Sequence, residues 1–132
     1  MELDHIGIAV EDIETALRLY CDGLGLELDR VFELADDRMK IAVVGSDRVQ
    51  IELIEPLGED TPVGKFLKKR GGGIHHICFS VVRLEEAIRE LEGKGFSLIA
   101  PPRRGARGER VAFFHPRSTM GVLIELSEEE GE

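Results

Sequence analysis

Apolar residues along this chain alternate in two rhythms, and the pair of rhythms comes round twice. Asp4–Val10 and Ile74–Val81 place apolar and β-branched residues at every second position, which predicts a strand in each. Directly after them the period lengthens. Ile13, Ala16, Leu17 and Tyr20 stand at i, i+3, i+4 and i+7, as do Leu84, Ala87, Ile88 and Leu91, which predicts amphipathic helices near Glu11–Cys21 and Leu84–Glu92. Asp12 is placed to cap the first helix, and the glycines that follow end both. Three more strands are predicted in the first half, around Glu27–Glu33, Met39–Val44 and Arg48–Glu55. Three are predicted in the second, around Ser97–Ala100, Arg110–Phe114 and Gly121–Leu126. Gly45-Ser46-Asp47 and Pro116–Met120 read as turns.

The two halves share residues as well as rhythm. HIGIAVEDIETALRLY (5–20) and HICFSVVRLEEAIREL (76–91) match at an offset of 71, with His5/His76, Ile6/Ile77, Val10/Val81, Glu14/Glu85, Ala16/Ala87 and Arg18/Arg89 identical. Ile51-Glu52-Leu53 returns as Ile124-Glu125-Leu126. The chain therefore reads as an α+β protein of two tandem β-α-β-β-β modules. Their expected bounds are about 1–60 and 74–126, with a linker over 61–73 and an acidic tail over 127–132. The linker should hold a short helix, Val63–Lys69, and then a flexible Gly71-Gly72-Gly73.

Composition narrows the class. The 132 residues make a single domain of ordinary size, with 42% hydrophobic and 33% charged residues, which excludes a disordered chain. No apolar run is long enough for a membrane span, and the N-terminus lacks a signal-peptide pattern. Cys21 and Cys78 make no disulfide framework, so a reducing, cytoplasmic setting is expected. A net charge of −9 argues against nucleic acid as a partner. The absence of Asn, with Gln50 the one Gln, resembles the thermophile bias. Against the acidic balance stand two basic segments: Thr61–His76, with Lys65, Lys68, Lys69 and Arg70, and Arg103–Arg117, with five Arg and one Glu. Such patches suit a small anion or a phosphorylated ligand.

The repeat also singles out chemistry. His5 and His76 fall in the first strand of each module, Glu52 and Glu125 in the last, all within apolar surroundings. A carboxylate among buried apolar residues is costly unless it is paired or coordinated. Two neutral imidazoles and two carboxylates balance a divalent cation, so these four are the candidate metal ligands. His75 and His76 point to opposite faces of their strand, and the repeat selects His76. His115 sits at a turn, Cys78 aligns with Gly7 as a packing residue, and Cys21 lacks the basic or His neighbour that would activate a thiol.

DHIGIAV, IELIEPLGEDTPVGKFL, GGGIHHICFSV and FFHPRSTMGVLIEL together resemble the methylmalonyl-CoA epimerases of the vicinal oxygen chelate superfamily, which also holds glyoxalase I. The resemblance spans roughly residues 3–126. It implies a cup-shaped mixed sheet around one divalent metal, with cobalt the first guess and Mn, Ni, Zn or Mg the alternatives. The implied ligands are His5, Glu52, His76 and Glu125; some relatives carry Gln in place of Glu52. The implied reaction interconverts the epimers of 2-methylmalonyl-CoA, with Glu125 as one acid–base group, in a homodimer. Some family members place the second base, a Glu, in the strand matching Met39–Val44; this chain offers Lys40 and Ile41 there and no Glu, which leaves Lys40, a water or another residue for that role. Arg103, Arg104 and Arg107 become candidates for the phosphates of coenzyme A, with Lys65, Lys68, Lys69 and Arg70 second. The competing readings are a glyoxalase I-like lyase acting on a glutathione hemithioacetal and a metal-free binding module.

Overall fold

The computed structural model describes residues 1–45 and 49–129. Ser46, Asp47 and Arg48 of the expected turn and strand start, and Glu130 and Glu132 of the expected tail, lie outside the described residues. The chain divides into two compact units, His5–His75 and Met1–Asp4 with His76–Glu132. No helix among the described residues is long and apolar enough to cross a membrane.

In the first unit, β1 (Glu2–Ala9) pairs in parallel with β4 (Gln50–Pro56). Antiparallel pairing joins β4 to β3 (Met39–Gly45) and β3 to β2 (Glu27–Leu34). The crossover helix is shorter than its periodicity predicts. Helix α1 covers Ile13–Leu17 and then widens into a π-type turn, Arg18–Gly23. The Leu24 N–H to Leu19 carbonyl bond (3.0 Å) marks that widening. The wider turn still holds Leu17, Tyr20 and Cys21 against the sheet, where they join Ile13, Ala16, Ala42, Val44 and Leu53. Asp12 caps α1 as expected. The Thr15 hydroxyl and backbone N–H both donate to its carboxylate, and these bonds hold the Asp12 pKa below its ordinary value.

The opposite face of this sheet carries Ala9, Ile41, Val43 and Ile54, covered by Val63, Phe66 and Leu67 of α2 (Pro62–Arg70). Thr61 caps α2 through the Gly64 N–H (3.0 Å), and Gly71 ends it in the left-handed region, at φ 79°. Gly64 is required by a close approach: a Cβ there would stand 2.1 Å from the Gly58 carbonyl oxygen.

The second unit repeats the plan. β5 (Gly73–Val81) pairs in parallel with β8 (Leu123–Glu128), β8 with β7 (Arg110–Phe114), and β7 with the two-residue β6 (Arg103–Arg104). Helix α3 (Leu84–Glu92) falls where its periodicity predicts and buries Leu84 and Ile88 against Val81, Ala112, Phe114 and Leu126. The strand expected over Ser97–Ala100 is reduced to a bridge between Leu98 and Phe114, flanked by the Ile99 N–H to Phe113 carbonyl bond. Pro101 and Pro102 offer no N–H to extend the ladder, so pairing resumes only at Arg103. The acidic tail also starts later than expected, because Ser127 (5% exposed) and Glu128 belong to β8.

One device ties strand to helix in both units. The Ile13 N–H donates to Glu55 Oε1 (2.8 Å), and the Leu84 N–H donates to Glu128 Oε2 (2.8 Å). Each carboxylate satisfies an orphan donor at a helix start and complements the dipole there. Glu55→Ala is expected to lower unfolding stability by about 1 kcal/mol, read as a reduced urea midpoint at unchanged slope, with Glu55→Gln between it and wild type. An unchanged midpoint would show that this bond does not hold α1.

Candidate functional site

Side chains directly opposed in a ladder share a face, so register decides what can act together. In the first unit Glu52 lies opposite Gly7 on β1 and Val43 on β3. His5 stands two residues before Gly7, on that same face. The His5 Nε2 to Glu52 Oε1 separation is 3.5 Å, and both residues are buried. In the second unit Glu125 lies opposite Cys78 on β5 and Phe113 on β7, with His76 two residues before Cys78. His76 Nε2 lies 3.2 Å from Glu125 Oε1, and these two are also buried. The structure thus holds the four expected residues in two equivalent His–Glu pairs, one within each unit.

The donor chemistry fits a transition metal. Metal–nitrogen and metal–oxygen bonds of about 2.0–2.2 Å, set at tetrahedral or octahedral angles, put neighbouring ligand atoms roughly 3–3.5 Å apart. The separations of 3.5 and 3.2 Å match two adjacent coordination positions in each pair. Two imidazoles with two carboxylates offer the mixed nitrogen and oxygen set that divalent first-row ions favour.

Other expected residues take different places. His75 lies on the other face of its strand from His76 and meets Phe66 edge-on, with ring centroids 5.0 Å apart. His115 Nδ1 accepts from the Arg117 N–H (3.1 Å) and caps the short turn Pro116–Ser118, a structural role. Cys78 is buried and its Sγ contacts Ser127 Oγ (3.5 Å), as a packing residue would, although its register sets it beside Glu125. Lys40 lies opposite Glu55, on the α1 face, so β3 turns it away from the His5–Glu52 pair. The β3 side chains that share the Glu52 face are Met39, Ile41 and Val43, all apolar.

The three candidate arginines separate. Arg107 pairs with Asp4 (3.0 Å) and with Glu109 (3.0 Å). Arg104 donates to the Gly108 carbonyl (2.6 Å), a neutral acceptor that leaves its charge uncompensated by that bond. Arg103 stacks over the Phe113 ring at 5.7 Å. On α2, Arg70 stacks over Phe66 at 5.5 Å and Lys68 approaches Glu59 at 3.9 Å.

Periodicity did not reveal Glu55 and Glu128. A signal for them exists in Ile51–Glu55 and Ile124–Glu128, where Glu52 and Glu125 are each followed by another Glu three places on. Odd spacing in a strand sends the second carboxylate to the opposite face, where the helix starts lie.

The chain is 37% identical to the mitochondrial methylmalonyl-CoA epimerase of Mus musculus, over 96% of this chain and 72% of that protein. The crystal structure of methylmalonyl-CoA epimerase from Mycobacterium tuberculosis superposes with a TM-score of 0.89 at 38% identity, covering 98% of this chain and 89% of that one. A methylmalonyl-CoA epimerase in complex with methylmalonyl-CoA and NH4+ gives a TM-score of 0.88 at 33% identity, covering 98% and 95%. Residues 4–113 match the Glyoxalase/Bleomycin resistance protein/Dioxygenase superfamily, and the chain belongs to it.

Proposed function

We propose that this chain is a metal-dependent methylmalonyl-CoA epimerase, which interconverts the (R) and (S) forms by moving the proton at C2. The carrying observation is the repeated buried His–Glu pair, in a chain whose relatives at 37% and 38% identity bear that name. His5, Glu52, His76 and Glu125 are the proposed ligands of one divalent ion. When bound, that ion polarises the thioester carbonyl and so acidifies the C2 proton.

The residues of the chain then have separate tasks. Glu125 takes the proton from C2 as the C–H electron pair passes to the carbonyl oxygen; the pair then returns to C2, which takes a proton from a solvent water on the other side of the plane. Arg104 is the first candidate for a coenzyme A phosphate, since its bond to the Gly108 carbonyl leaves its charge uncompensated. Lys65, Lys68, Lys69 and Arg70 come second. Cobalt heads the candidate metals, the working form is a homodimer, and the setting is the cytoplasm of a heat-adapted cell. The mixed ligand set supports the metal, the absence of a disulfide framework the compartment, and the amide-poor composition the heat-adapted source.

The test is incubation of the cobalt-loaded protein with one epimer of methylmalonyl-CoA in deuterated water. Appearance of the second epimer with deuterium at C2 is the expected result. Neither racemisation nor exchange would overturn the reading.

A further inference from the structure

We propose that Phe113 is a positioning residue that fixes the His76 ring for metal binding; this deepens the metal-dependent reading and rests on it. The position comes from register. Phe113 on β7 lies directly opposite Glu125 on β8, and Glu125 lies opposite Cys78, two residues on from His76. Strand alternation therefore sets the Phe113 ring on the face that carries the His76–Glu125 pair. The ring meets the His76 imidazole edge-on, with centroids 6.2 Å apart and planes at 80°. Aromatic pairs attract at that separation and tilt.

The repeat breaks at this place. In the first unit the residue opposite Glu52 is Val43, fully buried in the cluster that Val63, Phe66 and Leu67 of α2 complete. The His5–Glu52 pair thus has a packed core beside it. The second unit has no helix after β8 among the described residues, and half-buried Phe113 stands where Val43 stands in the first. One large ring supplies the side wall that a valine under a helix supplies in the other unit. The Arg103 guanidinium packs over the same ring, 5.7 Å from its centroid, and limits its motion in turn.

A ligating imidazole needs such a wall. The torsion about its Cβ–Cγ bond is broad and roughly twofold when nothing restricts it. His76 Nε2 stands 3.2 Å from Glu125 Oε1, the spacing of two adjacent coordination positions. Rotation about Cβ–Cγ carries Nε2 out of that position while the backbone stays in place. A contact with the ring acts on that torsion directly. Groups that orient a metal-bound His change metal affinity by roughly 10–100-fold.

Cobalt titration of the apoprotein against a competing chelator tests the assignment, with circular dichroism to confirm that each variant is folded. Phe113→Leu keeps an apolar side chain but no ring, and should bind cobalt about tenfold more weakly than wild type. Phe113→Tyr keeps the ring and should stay within about twofold. The visible absorption of the bound cobalt should shift in Phe113→Leu and be retained in Phe113→Tyr, because a rotated imidazole changes the geometry around the ion. A role in packing alone would leave that spectrum unmoved. Wild-type affinity and spectrum in Phe113→Leu would overturn the proposal, and so would equal losses in Phe113→Leu and Phe113→Tyr. The two readings fail separately. A wild-type protein that takes up no cobalt sinks the metal reading itself, whereas wild type and Phe113→Leu that load alike sink only the role of Phe113.

Discussion

Glu125→Gln is expected to lower epimerisation about a thousandfold, within the roughly 10²–10⁴ range for loss of a positioned proton-transfer group. The amide keeps an oxygen that can ligate and retains the side-chain volume on buried β8, but it cannot accept the C2 proton. Metal content, measured by elemental analysis, should therefore stay near the wild-type level while turnover and deuterium incorporation fall together. The twin substitution, Glu52→Gln, should keep turnover within about tenfold, because Glu52 is assigned a ligand's task alone and the resembled epimerases include members with Gln there. Equal losses in the two variants, or a Glu125→Gln protein that keeps a tenth of the wild-type rate, would remove the base role from Glu125. Glu125→Ala is the poorer experiment, since it deletes ligand and base at once.

Much of this arrangement was legible before any coordinates, and for a physical reason. A gene-internal repeat prints the same hydrophobic period twice, so each half vouches for the other. A single His in a strand says little, but His5 and His76 at equivalent places, with Glu52 and Glu125 at equivalent places, mark a face. In the structure each of these His residues stands 3.5 or 3.2 Å from the Glu of its own unit. Helix α3 was readable to the residue because its apolar stripe is regular and nothing interrupts it.

What escaped was set by groups that periodicity does not register. The π-type turn after α1 depends on a backbone bond five residues long, which leaves no mark on an apolar stripe of mixed three- and four-residue steps. The tail was misjudged because SEEEGE is read by its charge. Yet Ser127 is buried and Glu128 caps α3, so the strand outruns the acidic signal. Lys40 looked like a replacement base by its place in the sequence. One residue of strand alternation turns it to the wrong face, opposite Glu55, and leaves Ile41 beside Ile54. The Arg103–Phe113–His76 series needed a register between strands that no local pattern predicts.

That alternation also separates stability from chemistry on β7, where Phe113 and Phe114 are neighbours in sequence on opposite faces. Phe114 is fully buried against Leu84, Ile88, Leu126 and Leu98, and its ring meets Phe96 edge-on with centroids 5.6 Å apart. Phe114→Ala removes the largest side chain of this cluster and leaves a cavity between β7 and α3. The expected cost is about 3–5 kcal/mol, the range for truncating a fully buried Phe, roughly a thousandfold in the folding equilibrium. It should appear as a lower urea midpoint at unchanged slope. Because the substitution lies on the face away from His76 and Glu125, the protein that remains folded should keep wild-type metal content and turnover per native molecule. A loss of less than about 1.5 kcal/mol would mean that the α3 face repacks around the gap. A turnover defect exceeding the loss of folded protein would mean that the two faces of β7 are coupled, and that the ligand pair depends on the core behind it.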